Sequence, residues 1–125
     1  MRVPVVAAIG VDITKILRFE RLLSKPKPFV NKLYGRILHP QERQSVATAR
    51  SLAGAWAVKE AVFKTLTDDE QRRFQFNQWY RVYDELGRPS VAHADFGVDE
   101  FMVLLSHDDD LLVATVLRQK WIDIK

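Results

Sequence analysis

The sequence predicts a small α/β protein of the mixed α+β type, a few-stranded and largely antiparallel sheet packed with helices. An apolar, β-branched start followed by three helical stripes fills the first half of the chain. From Phe74 onward, alternating segments are separated by turn signals, the signature of antiparallel hairpins. The length, 125 residues, is that of one domain, 1–125, able to bury a core without disulfides.

The elements follow in order. Val3 to Ile9 is apolar and stops at Gly10, so it reads as a buried first strand and not as a signal peptide. From Ile13, apolar residues at Ile16, Phe19, Leu22 and Leu23 make a helical stripe, closed by Ser24-Lys-Pro-Lys-Pro. Phe29, Val30, Leu33, Tyr34, Ile37 and Leu38 repeat that spacing. His39-Pro-Gln-Glu resembles a helix start, with Glu42 placed to close a capping box. The longest helix is expected over Ser51 to Leu66. Phe74 to Asp84 reads as an aromatic strand, Ser90 to Ala94 as its return, and Asp95 to Glu100 as a turn. Phe101–Leu105 and Leu111–Leu117 then form a hairpin around a short acidic turn.

Composition narrows the function. There is no cysteine, which excludes disulfides, thiolate metal sites and cysteine nucleophiles. No apolar run approaches the roughly 20 residues of a membrane span. The net charge is +3, but it is segregated. Lys15, Arg18, Arg21, Lys25, Lys27, Lys32 and Arg36 stand against Glu20 alone, whereas Asp95 to Asp110 carries six acids and no Lys or Arg. A basic end of this kind meets an acidic partner, or is simply a solvated face.

The long helix carries most of the chemistry. With Trp56 at zero and about 100° per residue, Leu52, Phe63 and Leu66 fall within about 80° on one side, the expected core stripe. Lys59 lies in the middle of it, Glu60 about 40° the other way, and Lys64 one turn beyond Glu60. Charges beside a core need partners. Glu60–Lys64 alone is an ordinary surface pair. Asp12, just past the first strand, is either a helix cap or a second carboxylate. Paired with Glu60 it suits Mg²⁺, which takes one or two carboxylates and completes its shell with water and phosphate oxygens. Two acids with Lys59 and Lys64 nearby describe a Mg²⁺–diphosphate site.

Gly10-Val-Asp-Ile, Trp56-Ala-Val-Lys-Glu-Ala-Val-Phe-Lys, Leu86-Gly-Arg-Pro and Leu105-Ser-His-Asp, in this order and spacing, resemble the 4′-phosphopantetheinyl transferase superfamily, and the short chain its holo-acyl-carrier-protein synthase branch. That resemblance implies a transferase that moves the phosphopantetheine arm of coenzyme A onto a serine of apo acyl carrier protein. It releases adenosine 3′,5′-bisphosphate and uses Mg²⁺. It makes Asp12 and Glu60 the metal ligands, and Asp12, Glu60 and Lys64 the catalytic set. Lys59, Lys64 and His107 become contacts to coenzyme A, with His107 reaching from a neighbouring subunit. Arg18, with Arg21 and Leu22 on the same helix, becomes the carrier-protein docking surface. A homotrimer with shared sites is implied, in an intracellular setting.

The chain departs from the branch at Ala55, where an arginine is usual, and at Thr65-Leu-Thr-Asp-Asp-Glu, which lacks the usual Gly-Thr-Gly. With the longer Lys25-Pro-Lys-Pro connection, these departures favour a fungal-type mitochondrial form over one of the bacterial cytoplasm. The competing readings are a nucleic-acid-binding module using the basic first helix and the aromatic strand, a phosphohydrolase of another family, and a non-catalytic subunit of a larger synthase.

Overall fold

The computed structural model describes all residues from Met1 to Lys125. Strand β1 (Arg2–Lys15) leads into helices α1 (Ile16–Leu23) and α2 (Lys27–Ile37), then the long helix α3 (Ala49–Lys64) and the short α4 (Asp68–Arg72). Strands β2 (Tyr80–Tyr83), β3 (Pro89–Ala92), β4 (Asp99–Asp108) and β5 (Leu111–Asp123) complete the chain. One five-stranded antiparallel sheet results, in the order β1-β5-β4-β3-β2. The predicted α+β architecture is therefore the one observed. No helix is long and apolar enough to cross a membrane.

The first strand is the largest correction. It does not stop at Gly10 but pairs with β5 through Lys15, and most of its side chains are exposed. Helix α1 consequently begins at Ile16 and not at Ile13, because Ile13, Thr14 and Lys15 are still paired with Val113, Leu112 and Leu111. Its cap comes from elsewhere. Asp110, in the β4–β5 turn, accepts from Leu17 N through Oδ1 and from Ile16 N through its carbonyl, both at 2.8 Å. Part of the acidic run thus caps the basic helix, where a carboxylate is stabilised by the free N–H groups.

His39-Pro-Gln-Glu does form the capping box, but it closes a single 3-10 turn, Pro40–Glu42. Helix α3 starts later, at a second box made by Thr48 and Ser51. The expected stripe on α3 is buried at Leu52 and Lys59, and at Leu66 just beyond the helix, but the buried side is broader than that stripe. Ala53, Ala57, Val58, Ala61 and Val62 are buried, while Trp56 and Phe63 are half-buried. The alanines let α3 lie close to the sheet, and the aromatics on the other flank pack under a loop. Phe76 stacks on Trp56 at 4.6 Å between ring centroids, and Phe74 meets Phe63 edge-on at 5.3 Å.

That loop is what the sequence reads as an aromatic strand. Only Tyr80–Tyr83 are strand, and Phe76–Gln78 is a 3-10 turn. Trp79 is 1% exposed and packs against Phe74, Phe96 and Phe101. These rings pack on one another around the core, while Tyr83 is 64% exposed.

Candidate active site

The site begins with a glycine. A Cβ on Gly10 would lie 2.0 Å from the carbonyl oxygen of Ala61, so only glycine lets β1 pass this close to α3. Two residues further along the same face of β1 comes Asp12, paired across to Ala114. Next to Ala61 on α3 stands Glu60, and one turn on, Lys64. The close approach thus sets a carboxylate on a strand against a carboxylate and an ammonium on a helix.

Lys64 Nζ donates to the carbonyl of Val11 at 2.7 Å and reaches Asp12 Oδ1 at 3.4 Å. It pairs with Asp12 rather than forming the i,i+4 surface pair with Glu60. Half of the Lys64 side chain stays exposed, against 16% for Asp12. Burial, and next the negative charge of Asp12, raise the Glu60 pKa above the ordinary carboxylate value; Lys64 and Arg18 pull it back down. Glu60 therefore feels the charges of Asp12, Lys64 and Arg18. The Arg18 guanidinium lies on the Trp56 ring, 5.2 Å from its centroid. Trp56 is in this way a shelf for Arg18 rather than part of the inner core.

Arg21 is exposed on the same helix, whereas Leu22 is half-buried and packs on the core. Of the predicted docking residues, Arg18 and Arg21 face solvent and Leu22 largely supports the helix from beneath.

Two predicted coenzyme A contacts lie elsewhere. Lys59 is 1% exposed, and its ammonium donates to Glu42 Oε1 and to the Ile37 carbonyl, both at 2.6 Å. A lysine so enclosed has no free charge to offer a phosphate, so its assignment to coenzyme A is corrected to a structural one. Burial lowers its pKa, and Glu42 opposes that shift. His107 is exposed on β4, paired with Leu112, and borders a cleft with Arg50, Ser51 and Arg81 at the other end of α3. Within one chain it does not join the Asp12–Glu60–Lys64 cluster.

Sequence reasoning gave Glu42 only a capping role and gave Arg81 none. The signal for Glu42 was present, since a lysine on a core stripe demands a buried acid. Arg81 had no such signal in the pattern. No group of three or more His, Asp or Glu side chains comes together; Asp12 and Glu60 are a pair, the two carboxylates here able to share a cation.

Two carboxylates, a lysine and an arginine thus meet where α1 and α3 pack beside the end of β1. The model of the 4′-phosphopantetheinyl transferase superfamily matches residues 8–116, and the chain belongs to that family, in its holo-acyl-carrier-protein synthase branch. It is an enzyme, a 4′-phosphopantetheinyl transferase. It is similar to the holo-acyl-carrier-protein synthase of Kocuria rhizophila, with 36% identity over 122 residues, covering 91% of this chain and 93% of that protein. The mitochondrial holo-acyl-carrier-protein synthase of Saccharomyces cerevisiae is 28% identical, covering 87% of this chain and 89% of that protein. Among solved structures, the Helicobacter pylori holo-acyl-carrier-protein synthase in complex with coenzyme A superposes with a TM-score of 0.70 at 25% identity. That match covers 89% of this chain and 99% of the other.

Proposed function

We propose that this protein transfers the 4′-phosphopantetheine arm of coenzyme A to a serine of an apo acyl carrier protein, with release of adenosine 3′,5′-bisphosphate. The observation that carries this is the convergence of Asp12, Glu60 and Lys64 where β1 crosses α3.

The carrier serine oxygen attacks the phosphorus that bears the pantetheine arm. The bond from that phosphorus to the bridging oxygen breaks, and the bridging oxygen leaves with the second phosphate. Glu60 takes the serine proton, directly or through a water; burial and the charge of Asp12 raise its pKa above the ordinary carboxylate value. Lys64 keeps an exposed ammonium for the leaving phosphate. The residues fit magnesium. Asp12 and Glu60 repel each other, and a small hard cation held between them relieves that repulsion. When bound, Mg²⁺ supplies charge neutralisation on the diphosphate.

Arg18 and Arg21 on α1 form a basic surface beside this site, matched to an acidic carrier protein. A second copy of the chain is the partner that the sheet itself calls for. The face of the sheet away from α3 is apolar and open, with Ile9 and Ile13 each 60% exposed and Leu104 72%. Across the strands these align in rows, Ile9–Leu117–Met102 and Val11–Thr115–Leu104. Contiguous apolar area of this kind marks an interface, and we read it as the seam of a homotrimer in which His107 reaches a neighbour's coenzyme A. The yeast mitochondrial relative and the Lys25-Pro-Lys-Pro connection favour a mitochondrial address, testable by imaging a fluorescent fusion.

The test is incubation with coenzyme A, Mg²⁺ and apo acyl carrier protein, with the carrier read by mass. The wild-type chain is expected to add the arm. Asp12→Ala and Glu60→Ala are each expected to slow transfer by about 10²-fold or more while remaining folded. No added arm with wild type, or full transfer by both variants, overturns the reading.

A further inference from the structure

We propose that Arg118, on β5, is a positioning residue for transfer: it fixes the C-terminal end of α3 and so the place from which Lys64 reaches the substrate. This role rests on the transferase reading above. A helix leaves its last carbonyls without partners, and an end left so frays. At the end of α3, side chains from other elements supply partners. Gln71 of α4 donates to the Phe63 carbonyl at 3.0 Å, and Arg118 Nη1 donates to the Thr65 carbonyl at 3.2 Å. Phe63 and Thr65 are the two chain neighbours of Lys64. Thr65 also meets β1, its methyl group 3.1 Å from where a Cβ on Gly10 would lie. The backbone of Lys64 is thus held from both sides, and only its half-exposed side chain is left to swing.

Arg118 is itself held tightly. It is 4% exposed, and its guanidinium lies against the Phe96 and Phe101 rings, 5.5 and 5.4 Å from their centroids. Nη1 and Nη2 donate to the two Glu70 oxygens at 2.7 and 2.9 Å, and Nε donates to Asp99 Oδ2 at 2.7 Å. Glu70 also closes the capping box of α4, accepting from Thr67 N at 2.9 Å. One guanidinium therefore ties β4, β5, α4 and the end of α3 together.

Stability alone does not account for this arrangement. A buried ion cluster is often matched or exceeded by apolar residues of the same volume. What apolar residues lack is a donor aimed at the Thr65 carbonyl. Arginine, with five donors in a rigid fork, can hold two acids and a carbonyl at once. Hydrogen bonds from Arg118, chiefly, hold the Glu70 carboxyl down at about 2, so the clamp stays charged near neutrality. Lys64 acts on a leaving phosphate, and a small displacement of its helix end changes that distance directly.

The experiment measures steady-state transfer to apo acyl carrier protein, well below each Tm, for wild type, Arg118→Met, Arg118→Lys and Ile37→Ala. Amide hydrogen exchange at Thr65 and Leu66, whose N–H groups close the last turn of α3, is read alongside. Ile37, buried at the end of α2, is the stability control, since its truncation lowers Tm by leaving a core cavity. Arg118→Met is expected to lower kcat about 10-fold with the carrier-protein KM within about twofold. Arg118→Lys keeps a charge but not the fork; it is expected to lower kcat about threefold, and it carries the test if the methionine variant does not fold. Exchange at Thr65 and Leu66 is expected to rise relative to the rest of α3 in the Arg118 variants alone, and kcat to hold in Ile37→Ala. Unchanged kcat in both Arg118 variants, or an equal fall in Ile37→Ala, overturns the positioning role and leaves the transferase reading standing. A carrier-protein KM that rises with kcat unchanged also overturns it, by assigning Arg118 to docking. Wild type without transfer removes the transferase reading and this role with it.

Discussion

At Gly10 a single missing Cβ brings β1 against α3, and with it Asp12 against Glu60 and Lys64. Gly10→Ala would place a methyl group 2.0 Å from the Ala61 carbonyl oxygen, and neither backbone can yield without moving an element. The expected cost is about 2 kcal/mol, read as a Tm several degrees lower, with transfer activity reduced because Asp12 shifts. Unchanged Tm and activity would show that the approach is slack. A second residue-scale prediction concerns acid. Hydrogen bonds from Arg118, chiefly, hold the Glu70 carboxyl at about 2, below its ordinary 4.5. A depressed carboxylate contributes stability that is present above the unfolded value and lost as pH falls toward the folded one. Thermal stability is therefore expected to decline between about pH 4.5 and 2, and Glu70→Gln to flatten that decline. An identical pH profile in the variant would show that the triad with Arg118 and Asp99 contributes nothing there.

Elements are tied together by the charges they bury. The Glu42–Lys59 pair pins the Pro40–Glu42 turn to the middle of α3. Glu42→Gln leaves the Lys59 ammonium enclosed without a counter-charge, a loss expected at about 3 kcal/mol or more by chemical denaturation. Adding Lys59→Met should recover most of it, since a buried pair and an apolar replacement are near equal. Failure of the double variant to recover would mean that the lysine acts through more than this pair. The elements themselves were legible to different degrees. Local signals located α3 well, because caps and helical spacing are short-range. They shortened β1, because the partner that extends it, β5, lies about a hundred residues away in the chain. They also made a strand of Phe74–Trp79, because alternation of aromatics looks the same whether the rings line a pleat or close over a helix.

The whole molecule shows one covered and one open sheet face. Leu104→Lys puts a charge in the centre of the open face, and is expected to convert the proposed trimer to monomers by light scattering, with transfer lost in proportion. A wild-type chain that is monomeric at assay concentration would remove the shared-site arrangement. The basic helix α1 and the acidic β4–β5 turn, separate charge runs in the sequence, meet in the fold through Asp110. The acidic run is thus partly an internal cap, while Arg18 and Arg21 remain free for a partner.

The sequence by itself determined the α+β class, the hairpins, the long helix and the identity of Asp12, Glu60 and Lys64 as the groups to watch. Spacing and residue chemistry are local properties, and a motif carries both. Only the tertiary structure decided that Lys59 turns inward to Glu42, that Asp12 lies within a strand, that Trp56 carries Arg18, and that Nε and Nη2 of Arg81 are buried without a partner. Those outcomes depend on which side of a helix meets which strand. That is set by close packing between elements far apart in the chain, and no spacing along the chain encodes it.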